Sequence, residues 1–375
     1  MSIAPPSTNH HPVVPRTARI ALVHDWLVTW RGGEQVLHTL ASLMPQADLF
    51  TLVADPARWP SDLRGRSLTT SWLQAWPIRH RFRWGLPLFP WTIEQFRFDN
   101  YDLVISISHA VAKGVRAGSI PHLSYCLTPM RYAWGDAEQY FGPNVRRRGS
   151  WQHRLVKYLR RWDAASAERV TTFMAISRTV QQRIRACYGR DAAIIHPPVD
   201  CARFERVPRR PQPYALVVSA LVPYKRVDVA IEAFNRLRQP LVVIGEGPEE
   251  ARLRRLAGPT ITFKGWQTAD VLAQWYAEAR ALMYPQEEDF GLAAIEAQAA
   301  GCPVIAYRRG GATETVREGI TGFFFETQTA EALAQAVHRL EGWEPDPAAL
   351  RQHARQFDRP RFEQAFASAV AAVLR

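Results

Sequence analysis

Short apolar segments alternate with longer amphipathic segments along most of the chain. In the first half, the apolar segments are ARIALVHDWL, LFTLV, YDLVISIS, HLSYCL and TTFMAIS. Helical spacing is clearest in GGEQVLHTLASLM and WQHRLVKYLRRWDAASAERV. Because candidate strands and helices alternate, the pattern predicts an α/β fold built on a parallel, doubly wound sheet.

The same alternation begins again at Tyr214 and predicts a second sheet. Strands are predicted at YALVVSA, PLVVIGEG, ITFKGW, RALMYP and CPVIAY, and helices at VDVAIEAFNRL, PEEARLRRLAG, TADVLAQWYAEA and GLAAIEAQAAG. The C-terminal segment ALRQHARQFDRPRFEQAFASAVAAVLR predicts two further helices. Residues 196–213, between the two series, are rich in Pro and Arg and are predicted to be a linker. The chain is therefore expected to hold two Rossmann-like domains, at residues 18–195 and 214–357.

Charge is distributed unevenly between the two halves of the chain. The 375 residues carry a formal net charge of +12. Residues 1–210 hold 29 Lys and Arg against 15 Asp and Glu, a balance of +14, whereas residues 211–375 hold 18 against 20, a balance of −2. Ten of the thirteen tryptophans also lie in the first half, most densely between Ser71 and Phe98. All of the excess charge therefore belongs to the half that is richest in aromatic residues.

Basic residues interleaved with aromatic residues are typical of two kinds of surface. Nucleic-acid bases stack on aromatic rings, whereas Trp and Tyr at an anionic membrane lie at headgroup level. A solvated basic face over ordinary core aromatics is a third interpretation. No helix-turn-helix, zinc-finger or RNP-type pattern accompanies the charge, which argues against nucleic acid. The run from Ser71 to Phe98 is divided between packing inside its domain and a surface for a lipid-linked acceptor.

Cysteine spacing and segment length argue against two other classes of protein. The four cysteines are scattered, so neither a disulfide framework nor a zinc site is predicted, which suits a reducing compartment. No apolar stretch approaches the ~18 residues that a membrane-spanning helix needs. Residues 1–17 are polar and Pro-rich and lack the apolar region of a signal peptide, so we expect a disordered tail there. The predicted location is the cytoplasm.

The segment YPQEEDFGLAAIEAQAAG places carboxylates at the mouth of a predicted helix. With the helix starting near Gly291, Glu288 lies in the loop before it and Glu296 lies roughly 7 Å along the axis. The amides of Gly291 and Leu292 are donors at the helix N-terminus, suited to a phosphate or a sugar oxygen. Two carboxylates are then able to bracket one ligand and accept hydrogen bonds from its hydroxyls.

In the frame E-D-F-G-L-x-x-x-E-A-x-A-x-G-x-P-V-I-A, Glu288 and Glu296 resemble the Glu-x7-Glu signature of the family 4 retaining glycosyltransferases. The resemblance implies the GT-B architecture, in which two Rossmann-like doubly wound domains face each other across a cleft. Residues 18–195 would form the acceptor-binding domain and residues 214–357 the nucleotide-sugar-binding domain. The helix within residues 358–375 would cross back to the N-terminal domain.

Other segments resemble the same family and imply roles for further residues. DWLVTWRGGEQVL is similar to the family's N-terminal loop, in which Gly32 and Gly33 would let backbone amides approach the donor diphosphate. YDLVISISHAVAKGV places His109 where the family carries a histidine beside the reacting sugar. VSALVPYKRVDVAIEAF places Lys225 at the diphosphate-binding lysine, with Arg226 beside it. The implied donor-binding set is completed by Phe290, Gly291, Leu292, Glu288 and Glu296, and His109, Glu288 and Lys225 would act in catalysis.

The acceptor side departs from the family pattern. YCLTPMRYAW is similar to a subgroup that acts in bacterial polysaccharide assembly, and it implies acceptor contacts from Arg131, Tyr132 and Trp134. Leu127 stands where that subgroup often has His. Ala220, on the donor side, stands where many members have Arg.

The resemblance implies a retaining hexosyltransferase that acts in bacterial surface polysaccharide assembly. It would transfer a sugar to a lipid-linked saccharide, and the leading candidate is mannose from GDP-mannose. The chain contains no Asp-x-Asp, so we expect metal-independent transfer with no cofactor. The expected partners are a nucleotide-sugar donor and an anionic membrane surface, with peripheral attachment at the inner face of the plasma membrane. A GT-B-type epimerase or phosphorylase is the alternative enzyme, and a basic nucleic-acid-binding protein is the alternative from another class.

Overall fold

A computed structural model describes residues 14–75, 85–135 and 137–374. The described chain divides into two compact units. One unit runs to Ile176 and also takes in Val180–Ile195 and the chain from Pro360 onwards. The other holds Ser177–Thr179 and His196–Arg359.

The first unit is built on a parallel sheet. Its strands are β1 (Ile20–His24), β2 (Asp48–Thr51), β3 (Leu68–Thr70), β4 (Leu103–Ser108), β5 (His122–Cys126), β6 (Thr172–Ala175) and β7 (Ala192–Ile194). Its sequence also forms helices α1 (Gly32–Leu43), α2 (Phe89–Ile93), α3 (Arg131–Trp134), α4 (Ala137–Phe141), α5 (Trp151–Ala167) and most of α6 (Arg178–Tyr188). The strand order is β3-β2-β1-β4-β5-β6-β7, so the direction of winding reverses between β1 and β4.

The second unit repeats this plan. Its strands are β8 (Ala215–Val218), β9 (Leu241–Ile244), β10 (Ile261–Phe263), β11 (Leu282–Tyr284), β12 (Val304–Tyr307) and β13 (Gly322–Phe325). Its helices are α7 (Cys201–Glu205), α8 (Val227–Leu237), α9 (Glu250–Leu256), α10 (Ala269–Glu278), α11 (Leu292–Ala299), α12 (Ala312–Thr315), α13 (Ala330–His338) and α14 (Pro347–Ala354). The order β10-β9-β8-β11-β12-β13 reverses between β8 and β11. The prediction of two doubly wound parallel sheets is confirmed.

The last helix, α15 (Arg359–Val373), packs on the first unit. The rings of Phe362 and Phe366 lie 5.8 and 5.7 Å from the ring of Tyr125 in β5. The Tyr125 hydroxyl donates to the carbonyl of Ile195 at 2.7 Å. The assignment of the two domains to acceptor and donor stays a prediction.

In the first sheet, central strands were easier to predict than edge strands because burial makes them apolar on both faces. All five residues of β1 and all six of β4 are buried. The edge strands β3 and β7 are short and half-exposed, with the sequences LTT and AAI, and neither stands out as an apolar segment. The part of the predicted linker 196–213 around Cys201–Glu205 is helical.

Two sequence predictions fall partly outside the described residues. Residues 1–13 of the predicted tail are not described, nor are residues 76–84 of the Trp-rich run. Within the rest of that run, Leu73, Leu86, Phe89, Ile93, Phe96 and Phe98 belong to the hydrophobic core. Trp72, Leu88 and Trp91 are exposed. Packing inside the domain is therefore confirmed for the buried residues, and a surface for a lipid-linked acceptor stays a prediction for the exposed ones.

The four cysteines are free thiols. Among the described residues, no helix has the length and apolar character needed to cross a bilayer.

The first unit buries a lysine together with its counter-ion. Lys113 Nζ lies 2.9 Å from Asp163 Oδ1 and donates to Ser166 Oγ at 2.7 Å, and both charged side chains are almost fully buried. The second oxygen of Asp163 accepts from Trp134 Nε1 at 2.6 Å and from the Tyr188 hydroxyl at 2.7 Å. This carboxylate therefore joins α3, α5 and α6 to the segment after β4.

We expect Lys113→Met to lower the free energy of unfolding by about 3 to 5 kcal/mol, because it leaves the buried Asp163 carboxylate without its cation. Urea denaturation followed by circular dichroism measures the change. Lys157→Met, at an exposed position of α5, is the matched control and is expected to change stability by less than about 0.5 kcal/mol. Equal stability of the two variants would contradict the role given to Lys113.

Candidate active site

The candidate site residues, of which His109, Lys225 and Glu288 were predicted, lie where the winding of each sheet reverses. In the first unit, Asp25 follows β1 and His109 follows β4. In the second unit, Lys225 follows β8 and Glu288 follows β11. Ligands of doubly wound sheets bind outside the carboxyl ends of the strands at this point of reversal. Each unit therefore presents a pair of chemically active side chains at its ligand-binding edge.

Asp25 is fully buried and accepts hydrogen bonds from four consecutive backbone amides. Its Oδ2 accepts from the amides of His109 and Ala110 at 2.7 and 3.1 Å. Its Oδ1 accepts from the amides of Val111 and Ala112, both at 2.6 Å. Burial opposes ionisation, but the charge and hydrogen bonds of His109 outweigh it, so the pKa of Asp25 is well below its ordinary value. Asp25 is therefore an ionised carboxylate that fixes the loop after β4.

The same carboxylate orients the His109 ring. His109 Nδ1 lies 2.9 Å from Asp25 Oδ2, and since an ionised carboxylate only accepts, Nδ1 carries the hydrogen. The indole of Trp26 lies edge-on to the imidazole with centroids 4.6 Å apart. The side chain of His109 retains 30% of its exposure. Its Nε2 is therefore the nitrogen available to a ligand.

A second histidine lies beneath the Gly-Gly loop. His24 is buried, and its Nδ1 donates to the carbonyl of Ile107 at 2.9 Å. Its Nε2 has no hydrogen-bond partner among the described residues, and burial lowers its pKa, so the ring is neutral. A Cβ on Gly33 would lie 3.4 Å from His24 Cε1 and 3.0 Å from Leu127 Cδ1, so this part of α1 packs closely on both side chains.

The predicted diphosphate residues Gly32 and Gly33 form the first turn of α1. The Glu34 carboxylate accepts from the amide of Arg31 at 3.0 Å and from the Thr29 hydroxyl at 2.8 Å. It thereby fixes the chain that enters the helix. The amides of this first turn are donors without intrahelical partners, which is the arrangement that an anion requires.

The predicted acceptor residues lie together on α3. Tyr132 is buried and packs on Tyr140, with ring centroids 4.5 Å apart. Trp134 is held by its hydrogen bond to Asp163. Arg131, at the start of the helix, is half-buried. Two of the three side chains therefore have packing roles, and acceptor contact stays a prediction for all three.

In the second unit, the structure brings Lys225 and Glu288 into an ion pair. Each side chain is 16% exposed. The Lys225 ammonium also lies 5.4 Å from the centre of the Tyr224 ring. Two residues predicted from separate motifs are thus brought together, one after β8 and one after β11.

Arg226 has a different environment from Lys225. Its backbone has φ of 49°, in the left-handed region that glycine adopts most readily. Its guanidinium lies 3.3 Å from Asp228 Oδ1 and donates to Gln328 Oε1 at 3.1 Å. The charge of Arg226 is therefore partly neutralised within its own unit.

Ala220, which stands where many family members have Arg, is half-buried on the segment between β8 and Lys225.

The loop that carries Glu288 is fixed from two sides. The amide of Gly311 donates to the carbonyl of Glu288 at 2.7 Å, and a Cβ on Gly311 would lie 2.3 Å from Phe290 Cα. The Phe290 ring stacks on His196 with centroids 5.4 Å apart. Gly311 is thus needed for the close approach that positions Glu288.

Helix α11 begins directly after Gly291, as predicted. Gly291 has φ of 104°, and a Cβ there would lie 2.7 Å from the Tyr284 hydroxyl, so only glycine fits. The first amides of the helix, including that of Leu292, have no capping side chain among the described residues. This leaves the positive end of α11 beside the Glu288 loop.

Glu296, inside α11, is anchored by a residue that the sequence did not suggest. Its Oε2 accepts from the Tyr276 hydroxyl at 3.0 Å. Burial raises the pKa of Glu296, while the hydrogen bond from Tyr276 and the charge of Arg203 oppose this effect. Burial disfavours the charged form of this carboxylate, and a ligand hydroxyl that donates to it would stabilise that form. Within the described part of the chain, no group of three or more His, Cys, Asp or Glu is suited to hold a metal ion.

Two family models match successive parts of the chain. Glycosyltransferase Family 4 matches residues 30–203, and Glycosyl transferases group 1 matches residues 200–357. The two matches together take in the second sheet and every strand of the first sheet except β1. The chain belongs to the family 4, group 1 glycosyltransferases.

Individual glycosyltransferases are similar to this one over part of their length. A D-inositol 3-phosphate glycosyltransferase from Streptomyces bingchenggensis is 34% identical over 199 residues, 44% of this chain and 43% of that protein. A GDP-mannose-dependent alpha-(1-6)-phosphatidylinositol monomannoside mannosyltransferase from Mycolicibacterium smegmatis is 32% identical over 202 residues, 46% of this chain and 52% of that protein. The chain spans about half the length of these curated relatives.

Solved glycosyltransferase structures show the fold over nearly the whole chain. Anabaena Alr3699/HepE in complex with UDP and glucose has a TM-score of 0.70 at 17% identity, covering 94% of this chain and 99% of that one. The lipopolysaccharide outer core galactosyltransferase WaaB has a TM-score of 0.67 at 17% identity, covering 94% of this chain and 99% of that one. The predicted GT-B fold is confirmed.

In this family 4 glycosyltransferase, Asp25 is the residue that sequence reasoning missed. The only local signal was its position directly after the first apolar strand, where doubly wound sheets bind ligands. Its partners lie more than 80 residues away in the sequence, so no spacing pattern connects them. Tyr276 was missed for the same reason, since it reaches Glu296 from another helix.

We expect Asp25→Asn to lower the free energy of unfolding at neutral pH by about 3 kcal/mol, because the amide group cannot accept from all four backbone donors and has no charge. Since the pKa of Asp25 is lowered on folding, its stabilisation is fully present above the unfolded value of 3.8 and declines as the pH falls below it. Urea unfolding at a series of pH values measures both effects. A constant difference between the two proteins down to the lowest accessible pH would contradict this assignment.

Proposed function

We propose that this protein is a retaining, metal-independent glycosyltransferase. It transfers a hexose, with mannose from GDP-mannose as the proposed donor sugar, to a lipid-linked saccharide in bacterial surface polysaccharide assembly. It acts as a peripheral protein at the inner face of the plasma membrane. The observation that carries the proposal is the Lys225–Glu288 ion pair beside the N-terminus of α11, at the winding reversal of a Rossmann-like sheet.

The second unit supplies the groups that an activated sugar needs. Lys225 and the amides of Gly291 and Leu292 stabilise the diphosphate, whose charge grows as it departs. Glu288 accepts hydrogen bonds from the hydroxyls of the donor sugar, and Glu296 accepts them from the ribose. Phe290 holds the loop that carries Glu288 in position through its stacking on His196.

The first unit supplies the remaining roles. The amides of Gly32 and Gly33 bind the diphosphate at the first turn of α1, and Nε2 of His109 binds and orients the donor sugar. Asp25 holds His109 in the tautomer that leaves Nε2 open. Arg131, Tyr132 and Trp134 form the acceptor side.

The reaction follows from retention of configuration. The acceptor hydroxyl oxygen forms a bond to the anomeric carbon on the face from which the diphosphate leaves. The bond between the anomeric carbon and the diphosphate oxygen breaks, and the hydroxyl proton passes to that oxygen. Fixed positive groups do the electrostatic work in place of a metal ion, because the chain lacks an Asp-x-Asp sequence.

The names of similar proteins support the choice of donor and acceptor. The Mycolicibacterium smegmatis relative is named as GDP-mannose-dependent and acts on a phosphatidylinositol monomannoside. A structure of the same fold binds UDP and glucose, which supports a nucleotide sugar as the donor class. The balance of +14 in residues 1–210 supports an anionic acceptor in a membrane setting.

Removing either member of the ion pair is expected to abolish most of the activity. Glu288→Gln and Lys225→Met should each lower kcat/KM for GDP-mannose by about 100-fold or more, because each deletes a charged group that the transition state requires. Release of GDP in the presence of a lipid-linked saccharide measures turnover, with UDP-glucose as the comparison donor. Glu287→Gln, at the exposed neighbouring acid, is the control and should remain within a few-fold of wild type. Rates in all three variants close to wild type would exclude this donor site.

Metal removal is expected to leave the rate unchanged. Dialysis against EDTA, followed by assay in EDTA, tests whether fixed groups suffice. Turnover that disappears in EDTA and returns with Mg²⁺ or Mn²⁺ would contradict the metal-independent mechanism.

A further inference from the structure

Helix α5 presents two chemically different faces. Val156, Leu159, Asp163 and Ser166 are buried against the first unit. On the opposite face, Trp151, Arg154, Tyr158 and Arg161 follow one another at intervals of three or four residues and form one exposed stripe. Trp151 is 66% exposed and Tyr158 is 45% exposed, although large aromatic side chains are usually well covered.

The exposed face of α5 is also strongly basic. The helix contains four cations, Arg154, Lys157, Arg160 and Arg161, and its one acid is the buried Asp163. Asp163 is already paired with Lys113 and so does not offset the outer charges. Within the described residues, Arg154, Lys157 and Arg161 form no ion pair. The stripe therefore combines exposed rings with cations whose charge is uncompensated by the helix itself.

The shape of this surface favours a planar anionic partner. A helix of 17 residues is about 25 Å long, and the outer surface of a helix is convex. Proteins that bind single-stranded nucleic acid use a basic groove that follows the backbone, whereas amphipathic helices with Trp, Lys and Arg lie flat in a lipid interface. Trp and Tyr prefer headgroup level, and each basic residue near an anionic leaflet adds to the attraction.

We propose that the exposed face of α5, formed by Trp151, Arg154, Lys157, Tyr158 and Arg161, binds an anionic lipid bilayer. The rings enter the headgroup layer, and the three cations contact lipid phosphates. This surface is distinct from the Trp-rich run that the sequence indicated.

The inner side of the same helix holds the predicted acceptor segment. The Arg160 guanidinium donates to the carbonyl of Ala133 at 2.7 and 3.1 Å and lies 5.2 Å from the centre of the Trp134 ring. Asp163 accepts from Trp134 Nε1. Helix α5 thus places α3 about one helix diameter, roughly 10 Å, from the lipid surface. This link to the acceptor rests on the proposed function, whereas lipid binding by α5 does not.

Vesicle flotation tests the surface with the full chain. Vesicles of equal parts phosphatidylcholine and phosphatidylglycerol should bind the wild type, and phosphatidylcholine vesicles should bind it far more weakly. The triple variant Arg154→Gln, Lys157→Gln, Arg161→Gln is expected to bind the anionic vesicles about 100-fold more weakly. Trp151→Ala with Tyr158→Ala should also lose binding, and that loss should persist at high salt because it is not electrostatic.

The matched control is Arg252→Gln, Arg254→Gln, Arg255→Gln, which removes the same formal charge from exposed positions of α9. It should bind vesicles like the wild type. The proposal is overturned if the α5 triple variant floats like the wild type, or if the control loses as much binding. It is also overturned if the wild type binds a single-stranded RNA oligonucleotide through these residues and does not bind vesicles.

Nucleotide binding separates this proposal from the proposed function. GDP should raise the melting temperature of the wild type and of the α5 triple variant equally, which also shows that the variant is folded. Lipid binding without any response to GDP or UDP would leave the α5 surface standing and remove the proposed function. A response to GDP, together with equal flotation of the wild type and the α5 triple variant, would leave the proposed function standing and remove the α5 surface.

Discussion

The buried carboxylate of Asp25 is the contact on which the first unit's ligand-binding edge depends. It gathers four backbone amides and one imidazole from the segment after β4, and so it joins the ends of the two strands at the winding reversal. An ionised group is rarely stable in a protein interior, but here every lone pair has a donor. Without that charge, the amides of residues 109–112 would be left buried without an acceptor, and His109 would lose its orientation.

The second unit reaches a similar result with different chemistry. Its loop after β11 is positioned by backbone contacts that tolerate no side chain at Gly311 and by ring stacking on Phe290. The charged residues are then placed on a scaffold that is already fixed. Lys225 and Glu288 neutralise each other there, so the unit carries two charges at its ligand-binding edge without a large net field.

Sequence reasoning worked where the physical signal is local. Helix α8 has the predicted bounds because its apolar positions follow the helical period, and α11 begins directly after Gly291, at a position where only glycine fits. Strands β3 and β7 were missed because three half-exposed residues carry little periodic signal, and the buried edge strand β13 was missed as well. Asp25 and Tyr276 were missed because their significance depends on partners from distant parts of the chain. Glu288 was found from its place at the mouth of a predicted helix, whereas Lys225 was found only through the family resemblance, since no spacing rule relates residues 63 positions apart.

At the donor site proposed above, the ion pair between Lys225 and Glu288 would act as a filter on ligands. A free phosphate that takes the lysine leaves the carboxylate without its cation, and a free sugar that takes the carboxylate leaves the lysine without its anion. Each of these ligands must therefore offset the loss of an existing contact. A molecule that joins an anion to a set of hydroxyls replaces both partners at once, so the pair favours the intact conjugate over either of its hydrolysis products.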